Sequence, residues 1–345
     1  MKTANYQAID IVIPWVDGSD PAWLEEKARY AGTDAAAGSV DDAPVDDAPA
    51  RYRDGGTLKY LLRSIELYMP WVQTVHFVTW GHLPEWLNPD AAGLHIVRHE
   101  DYIPPQYLPT FSSHTIELNM HRIPGLAEQF IYFNDDLLVT RPLKPTDFFR
   151  RGLPVDFAVE TALCGKYHHS VCGIQLSNSE IINQNFSKRK VLRENPLKWF
   201  HPRYGAAVFK TLALCPWPRF SDFSCNHIAH PFLKKTFEEV WDKEYDAMDE
   251  TCRHRFRTMN DSNQWLMRDW QLVSGRFIPG RADTGKAFLL GTNLSELKKI
   301  FREKKYSVVC INDVSYHEPE DYARTVEELQ VCLEEAYPTP GRFEK

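Results

Sequence analysis

Neither a Walker-type G-x-x-x-x-G-K-[ST] loop nor a G-x-G-x-x-G turn occurs in this chain, so the usual signatures of ATP-dependent kinases and dinucleotide enzymes are missing. No G-x-S-x-G elbow is present to expose a serine nucleophile. No apolar run approaches the roughly 20 residues that a membrane-crossing helix needs. The opening MKTANYQAIDIVIPW lacks a signal-peptide core with a small-residue cleavage site, so the expected location is the cytoplasm, with the inner face of the membrane as the place of any association. The seven cysteines form no C-x-x-C pair, and their odd number fits reduced, mostly buried thiols better than a disulfide framework or a zinc knuckle. Basic residues are not in excess: 40 Lys and Arg stand against 47 Asp and Glu, a net charge of -7, which argues against nucleic acid as a partner. A phosphate-bearing ligand must then be met by local cations or by a metal.

What the chain does have is aromatic weight and strands that end in acid. With 345 residues, 43% of them hydrophobic, it is long enough for one large domain, and residues 1–345 are read as a single catalytic domain. Residues 9–16, IDIVIPWV, predict a buried strand stopped by the acidic turn Asp17-Gly18-Ser19-Asp20. Residues 34–50 hold five acidic groups, no aromatic and a near-repeat of VDDAP, which predicts a mobile insertion. An amphipathic helix is predicted over 57–68, strands over 74–80 and 94–101, a helix near 113–122, and a strand over Phe130–Phe133 before Asn134-Asp135-Asp136. Further on, helices are predicted over 231–245, 262–273 and 320–337, with a strand over 306–313. Strand, helix and strand in this order predict an α/β fold with a mainly parallel central sheet flanked by helices, and helical additions beyond it.

Three predicted strand ends carry hard oxygen groups: Asp17 with Asp20, Asn134-Asp135-Asp136, and Asn312-Asp313. If those strands neighbour one another, the oxygens converge at one sheet edge and suit Mg²⁺ or Mn²⁺ bridging to a pyrophosphate. Taken singly, each is as well explained as a turn or helix cap. Guanidinium groups that match phosphate oxygens come from Arg51 and Arg53 in RYRDGG and from Arg253, Arg255 and Arg257, with His254 among them, in CRHRFR. His227 and His230 in CNHIAHP offer a general base or a ligand, against an ordinary structural role for such a pair. In LPTFSSHTIEL, Ser112 reads as a helix cap, with Ser113 and His114 as substrate contacts.

At this point a specific likeness emerges. IDIVIPWVDGSDP, RYRDGGTLKYLLRSIELYMPWVQTVHFVTWGHLPEWLN and LPTFSSHTIELNMHRIPGLAEQFIYFNDDLLV resemble the first two regions of the Stealth proteins. HIAHPFLKKTFEEV with HRFRTMNDSNQW resembles the third, and YSVVCINDV through YPTPGRFE the fourth. The resemblance implies a nucleotide-sugar-transferase-like core that needs Mg²⁺ or Mn²⁺. The implied reaction moves a sugar 1-phosphate from a UDP-sugar to a carbohydrate hydroxyl, leaving a phosphodiester and UMP. A short chain with no membrane anchor and an expected cytoplasmic location leads us to expect a capsule or exopolysaccharide acceptor, and a place at the periphery of a capsule-synthesis complex. The likeness is weakest over 150–220, where acceptor recognition is expected. The fourth region departs from the family pattern at Val314, where a further possible ligand is often found.

On this reading Asp136, Arg257 and His227 are the expected catalytic groups. Asp136 with Asp135 and Asp313 is expected to hold the ion, Arg257 to stabilise the transferring phosphoryl, and His227 to take the acceptor proton. Asp17, Gly18, Asp20, Arg51, Arg53, Arg63, Ser113, His114, Asn134, His230 and Asn312 complete the expected substrate contacts. Two rivals remain open: a metal-dependent glycosyltransferase releasing UDP, and a carbohydrate-binding protein with no catalysis.

Overall fold

Ile9–Pro14 forms strand β1, whose apolar side chains are buried on both faces. In the computed structural model, which describes residues 7–31, 52–53, 55–165, 171–290, 294–313 and 319–345, this strand is the middle of the main sheet. The predicted acidic insertion at 34–50, and Arg51 beside it, lie outside the described residues. Strand β1 pairs in parallel with β2 (Val75–Thr79) on one side and β4 (Gln129–Tyr132) on the other, so that Val12 is opposite both His76 and Tyr132. Beyond β2 lies the parallel β3 (Leu94–Arg98), and the other edge is closed by β10 (His230–Leu233), antiparallel to β4.

Neighbouring side chains of this sheet feed two cores. Ile11, Ile13, Phe77 and Ile131 join one cluster, while Val12, Val78, Phe130 and Tyr132 join the other. A parallel sheet covered on both faces requires such near-continuous apolar strands. Helix Leu58–Tyr68 covers the first face through Leu61, Leu62 and Ile65, each worth about 1.5–3 kcal/mol of burial.

A second sheet carries the remaining acidic strand end. It pairs β5 (Leu137–Val139) antiparallel with β13 (Val308–Asn312), which runs parallel to β12 (Gly285–Leu289). Two small ladders complete the fold. One joins β6 (Phe149–Arg150), β7 (Leu153–Asp156) and β11 (Ile278–Pro279); the other joins β8 (Glu160–Thr161) and β9 (Asp222–Phe223).

Several expectations are adjusted. The helix predicted from 231 begins only at Lys234 and runs to Lys243, because residues before it form β10. There Phe232 packs 5.7 Å from Phe130, and Pro231 sits on the edge strand where a missing N–H is tolerated. The helix predicted near 113–122 divides into Ser113–Leu118 and a 3₁₀ turn at Met120–Arg122. Asn263 caps helix Gln264–Val273 through the amide of Trp265, whereas Ser112 occupies the cap position of its helix without making a cap hydrogen bond.

Arg63 is a correction of substance. It is buried on helix Leu58–Tyr68, away from the cavity described below, and holds the C-terminal segment. Its guanidinium donates to both carboxylate oxygens of Glu344 at 2.7 and 2.9 Å, to Glu334 at 3.0 Å and to the Tyr337 carbonyl at 2.6 Å. Four of its five N–H groups are spent on these structural bonds, and it does not line the cavity.

Candidate active site

The chain leaves β4 at Asn134-Asp135-Asp136 and reverses into β5, a turn closed by the Leu137 amide on the Asn134 carbonyl at 3.2 Å. Two outside donors pin it. Thr57 Oγ1 donates to the Asp135 carbonyl at 2.8 Å, and the Ile311 amide donates to the Asp136 carbonyl at 2.9 Å. The second bond brings β13 to the turn, so Asn312-Asp313 reaches the site through β5 rather than as a neighbour in the main sheet.

Asp136 is the centre of the cluster. Its Oδ2 accepts from the buried Cys310 thiol at 3.1 Å, and its Oδ1 is buried with no hydrogen-bond partner among the described residues. Burial, with the Asp136 charge adding to it, pushes the Cys310 thiol well above its ordinary range, as suits a donor. His227 Nε2 lies 3.1 Å from the Asn134 amide nitrogen. Ligand atoms of Asp136, His227 and Cys310 all fall within 4.8 Å of one another, close enough for one cation to meet all three. A buried carboxylate oxygen left over in such a cluster fits a divalent ion, because an unpaired buried charge is otherwise costly.

The cluster opens into a cavity of about 490 Å³. Asp135, Arg53, Asn312 and Asp313 line it on the same side, with Arg53 Nε 2.9 Å from Asp313 Oδ2 and its guanidinium 4.4 Å from the Tyr322 ring. Asp313 is therefore an ion-pair partner of Arg53. It does not join the Asp136 cluster.

Arg257 and His114 form another wall, organised by one carboxylate. Asp261 is fully buried and accepts from His114 Nδ1 at 2.9 Å, His254 Nδ1 at 2.7 Å, and the amide and hydroxyl of Thr258 at 2.9 and 2.7 Å. Burial alone would raise its pKa, but these hydrogen bonds outweigh it and hold the carboxyl at about 2. A carboxylate only accepts, so each Nδ1 carries the hydrogen and His114 keeps Nε2 for the cavity it lines. The Arg257 guanidinium lines the same cavity, with Nε buried and without a hydrogen-bond partner among the described residues.

Of the other expected contacts, Ser113 and Asn134 line the cavity. Asp17, Gly18 and Asp20 do not, although Trp15 and Val16 just before them do. Asp17 accepts from the Ser19 amide and hydroxyl, and Asp20 caps the helix Pro21–Ala31 at the Trp23 amide. Gly18 packs under Tyr52, where a Cβ would lie 2.3 Å from the carbonyl oxygen. This turn supports the wall from behind. His230 is buried in β10 with Nε2 3.4 Å from Cys225 Sγ, and burial pushes its imidazole well below the ordinary range. It is off the cavity. Sequence reasoning missed Cys310 and Asp261; the position of Cys310 two residues before Asn312 on a predicted strand was the available signal for the first.

Stealth protein CR1, conserved region 1, matches residues 7–35, and Stealth protein CR2, conserved region 2, matches residues 51–155. A capsular polysaccharide phosphotransferase WcwK of Streptococcus pneumoniae is 37% identical over 342 residues, covering 99% of both chains. This chain belongs to the Stealth family. Other relatives include the exopolysaccharide phosphotransferase cps2G of Lactiplantibacillus plantarum, 38% identical over 351 residues that cover 100% of this chain and 98% of that one. The receptor polysaccharide phosphotransferase WefC of Streptococcus oralis is 36% identical over 344 residues, covering 97% and 99%. Like them, this Stealth protein is a phosphotransferase. Among solved structures, the galactosyltransferase LgtC in complex with donor and acceptor sugar analogs aligns with 93% of this chain and 95% of its own, at a TM-score of 0.39 and 10% identity.

Proposed function

We propose that this enzyme transfers a sugar 1-phosphate from a UDP-sugar, a UDP-N-acetylhexosamine or UDP-hexose, to a hydroxyl of a saccharide or polysaccharide in capsule or exopolysaccharide synthesis. The observation that carries this reading is the Asp136 cluster and Arg257 facing one cavity of nucleotide-sugar size. Asp136 and Asp135 would hold Mn²⁺ or Mg²⁺, and the nearby imidazole and thiol suit Mn²⁺ better than an ion that prefers oxygen alone. When bound, the ion neutralises charge on the pyrophosphate oxygens.

Arg257 orients the β-phosphoryl group and meets the charge that develops on it, the largest contribution in phosphoryl transfer. His227 accepts the proton of the acceptor hydroxyl as that oxygen bonds to the β-phosphorus. The bond from this phosphorus to the oxygen bridging to the α-phosphate breaks, and UMP leaves with that oxygen. Ser113 and His114 Nε2 receive sugar hydroxyls, and residues 150–220, through Val171–Ile174 beside them, supply acceptor recognition. Proton transfer and metal ligation exclude each other at His227. We assign it the proton because two carboxylates already serve the ion.

The deciding experiment incubates the enzyme with a panel of UDP-sugars, Mn²⁺ and a saccharide acceptor, and weighs the nucleotide released. UMP is expected. UDP would mean attack at the anomeric carbon and would replace this reading with glycosyl transfer, while no metal-dependent turnover would leave only binding. In His227→Ala, Mn²⁺ binding should persist while UMP release falls about 10²- to 10⁴-fold.

A further inference from the structure

Residues 188–219 contain eight Lys and Arg but one acidic residue, Glu194, in a chain whose net charge is -7. Three of these cations are used internally, Arg203 by donating to the Pro279 carbonyl at 3.1 Å and two lysines in the same way. Lys188 is buried and donates to Glu160 and to the Leu214 carbonyl, both at 2.7 Å, and Lys198 donates to the Gly275 carbonyl. Arg189, Lys190, Arg193, Lys210 and Arg219 are exposed, and their side chains make no hydrogen bond or ion pair among the described residues.

The same segment carries the three most exposed large apolar side chains among the described residues. Leu197 is 83% exposed, Phe209 68% and Trp217 63%. In helix Val208–Leu214, Thr211 is buried and its hydroxyl accepts from the Glu160 amide at 3.0 Å, which fixes that side against β8. Phe209 and Leu212 consequently stand on the outward side. Lys188 ties the basic helix Lys188–Glu194 to the end of this apolar one.

We propose that residues 188–219 dock the enzyme on the surface of an anionic lipid bilayer. Exposed Leu, Phe and Trp among unpaired Arg and Lys is the composition of an interfacial segment, in which rings and aliphatic groups enter the headgroup boundary while cations meet lipid phosphates. A nucleic acid would use the cations but would gain little from Leu197 and Leu212. The surface is also joined to the cavity. It packs on β8, which pairs with β9, and β9 is bonded to Gln175 of the helix Cys172–Asn185 whose Ile174 lines the cavity. Docking would thus hold the acceptor-side wall near the membrane.

The test floats the full chain with vesicles of phosphatidylcholine alone or with a quarter phosphatidylglycerol. Binding to the anionic vesicles only is expected, weakening as salt rises. A charge reversal, R189E with K190E and R193E, and separately F209S with W217S, should each lower retention about tenfold. Both variants should keep the far-UV spectrum and the urea-unfolding midpoint of the parent, so that lost retention is not lost fold. No binding by the parent, equal binding to neutral vesicles, or undiminished binding by the variants would overturn the proposal. Retention on heparin without retention on vesicles would overturn it in favour of a soluble polyanion. Vesicle binding is read without turnover, so failure of the phosphotransfer reading would leave this result standing, and the reverse.

Discussion

Asp261 Oδ2 accepts from His114 Nδ1 at 2.9 Å, joining a helix at the cavity wall to a loop 147 residues further along the chain. The same carboxylate fixes His254 and Thr258 on either side of Arg257. Asp261→Asn would present an amide donor to one of these donors and loosen both His114 and the Arg257 loop. Turnover should fall by up to about 10²-fold, as misplacement by an ångström commonly costs. The pH profile of kcat should shift along with it, which a loss of folded protein alone would not produce. Stopped assays across pH, normalised to folded enzyme, check this.

The acidic cluster predicts a distinct metal behaviour. Asp136→Asn should reduce UMP release about 10²- to 10³-fold and weaken Mn²⁺ binding, followed by electron paramagnetic resonance. Added Cd²⁺ should produce a thiolate-to-metal absorption in the parent that is absent in Cys310→Ser. If Cd²⁺ gives the same absorption in both, the thiol beside Asp136 does not reach the ion.

Arg63→Ala should act on stability rather than on phosphate. Removing it leaves Glu344, itself held in the protein, without its bidentate partner. Loss of one member of a buried pair costs about 3–5 kcal/mol. Urea unfolding should show that loss, while the KM of the remaining folded enzyme for UDP-sugar stays near the parent value.

Acid should weaken the fold through buried histidine. Burial, with the His82 charge adding to it, lowers the His99 pKa to about 4. Burial likewise lowers His121 to about 3. A lowered native pKa means that the neutral form is favoured in the fold. The stability is complete above the unfolded value of about 6.5 and is lost as pH falls toward 4, by about 3 kcal/mol for His99. His99→Gln should flatten this dependence, measured as unfolding midpoints at neutral pH and near pH 4.

The long apolar elements were legible because one periodicity decides them. β1, β2, β4 and helix Leu58–Tyr68 begin and end within a residue or two of where their patterns predict. The strand at 230–233 was hidden because its four residues run into an amphipathic helix, and only the edge of β4 selects extended backbone there. At the site, Asn134, Asp135, Asp136, His227 and Arg257, drawn from distant segments, line one cavity. An acidic turn after a strand looks the same in sequence whether its oxygens face a ligand or hold the chain; here Asp17 closes the turn on Ser19 and Asp20 caps the helix Pro21–Ala31. Asp261 carries no local signal at all. Its bonds to the nearby His254 and Thr258 would pass for an ordinary turn, and only His114, 147 residues away, ties it to the cavity wall.

The bond from Ile311 to the carbonyl of Asp136 has a consequence for when the enzyme becomes competent. The five strands of the main sheet end at residue 233, yet the acidic turn gains its second anchor only at Ile311. A chain made only as far as the main sheet therefore lacks an anchor of the acidic turn, and phosphate transfer waits until Ile311 has left the ribosome.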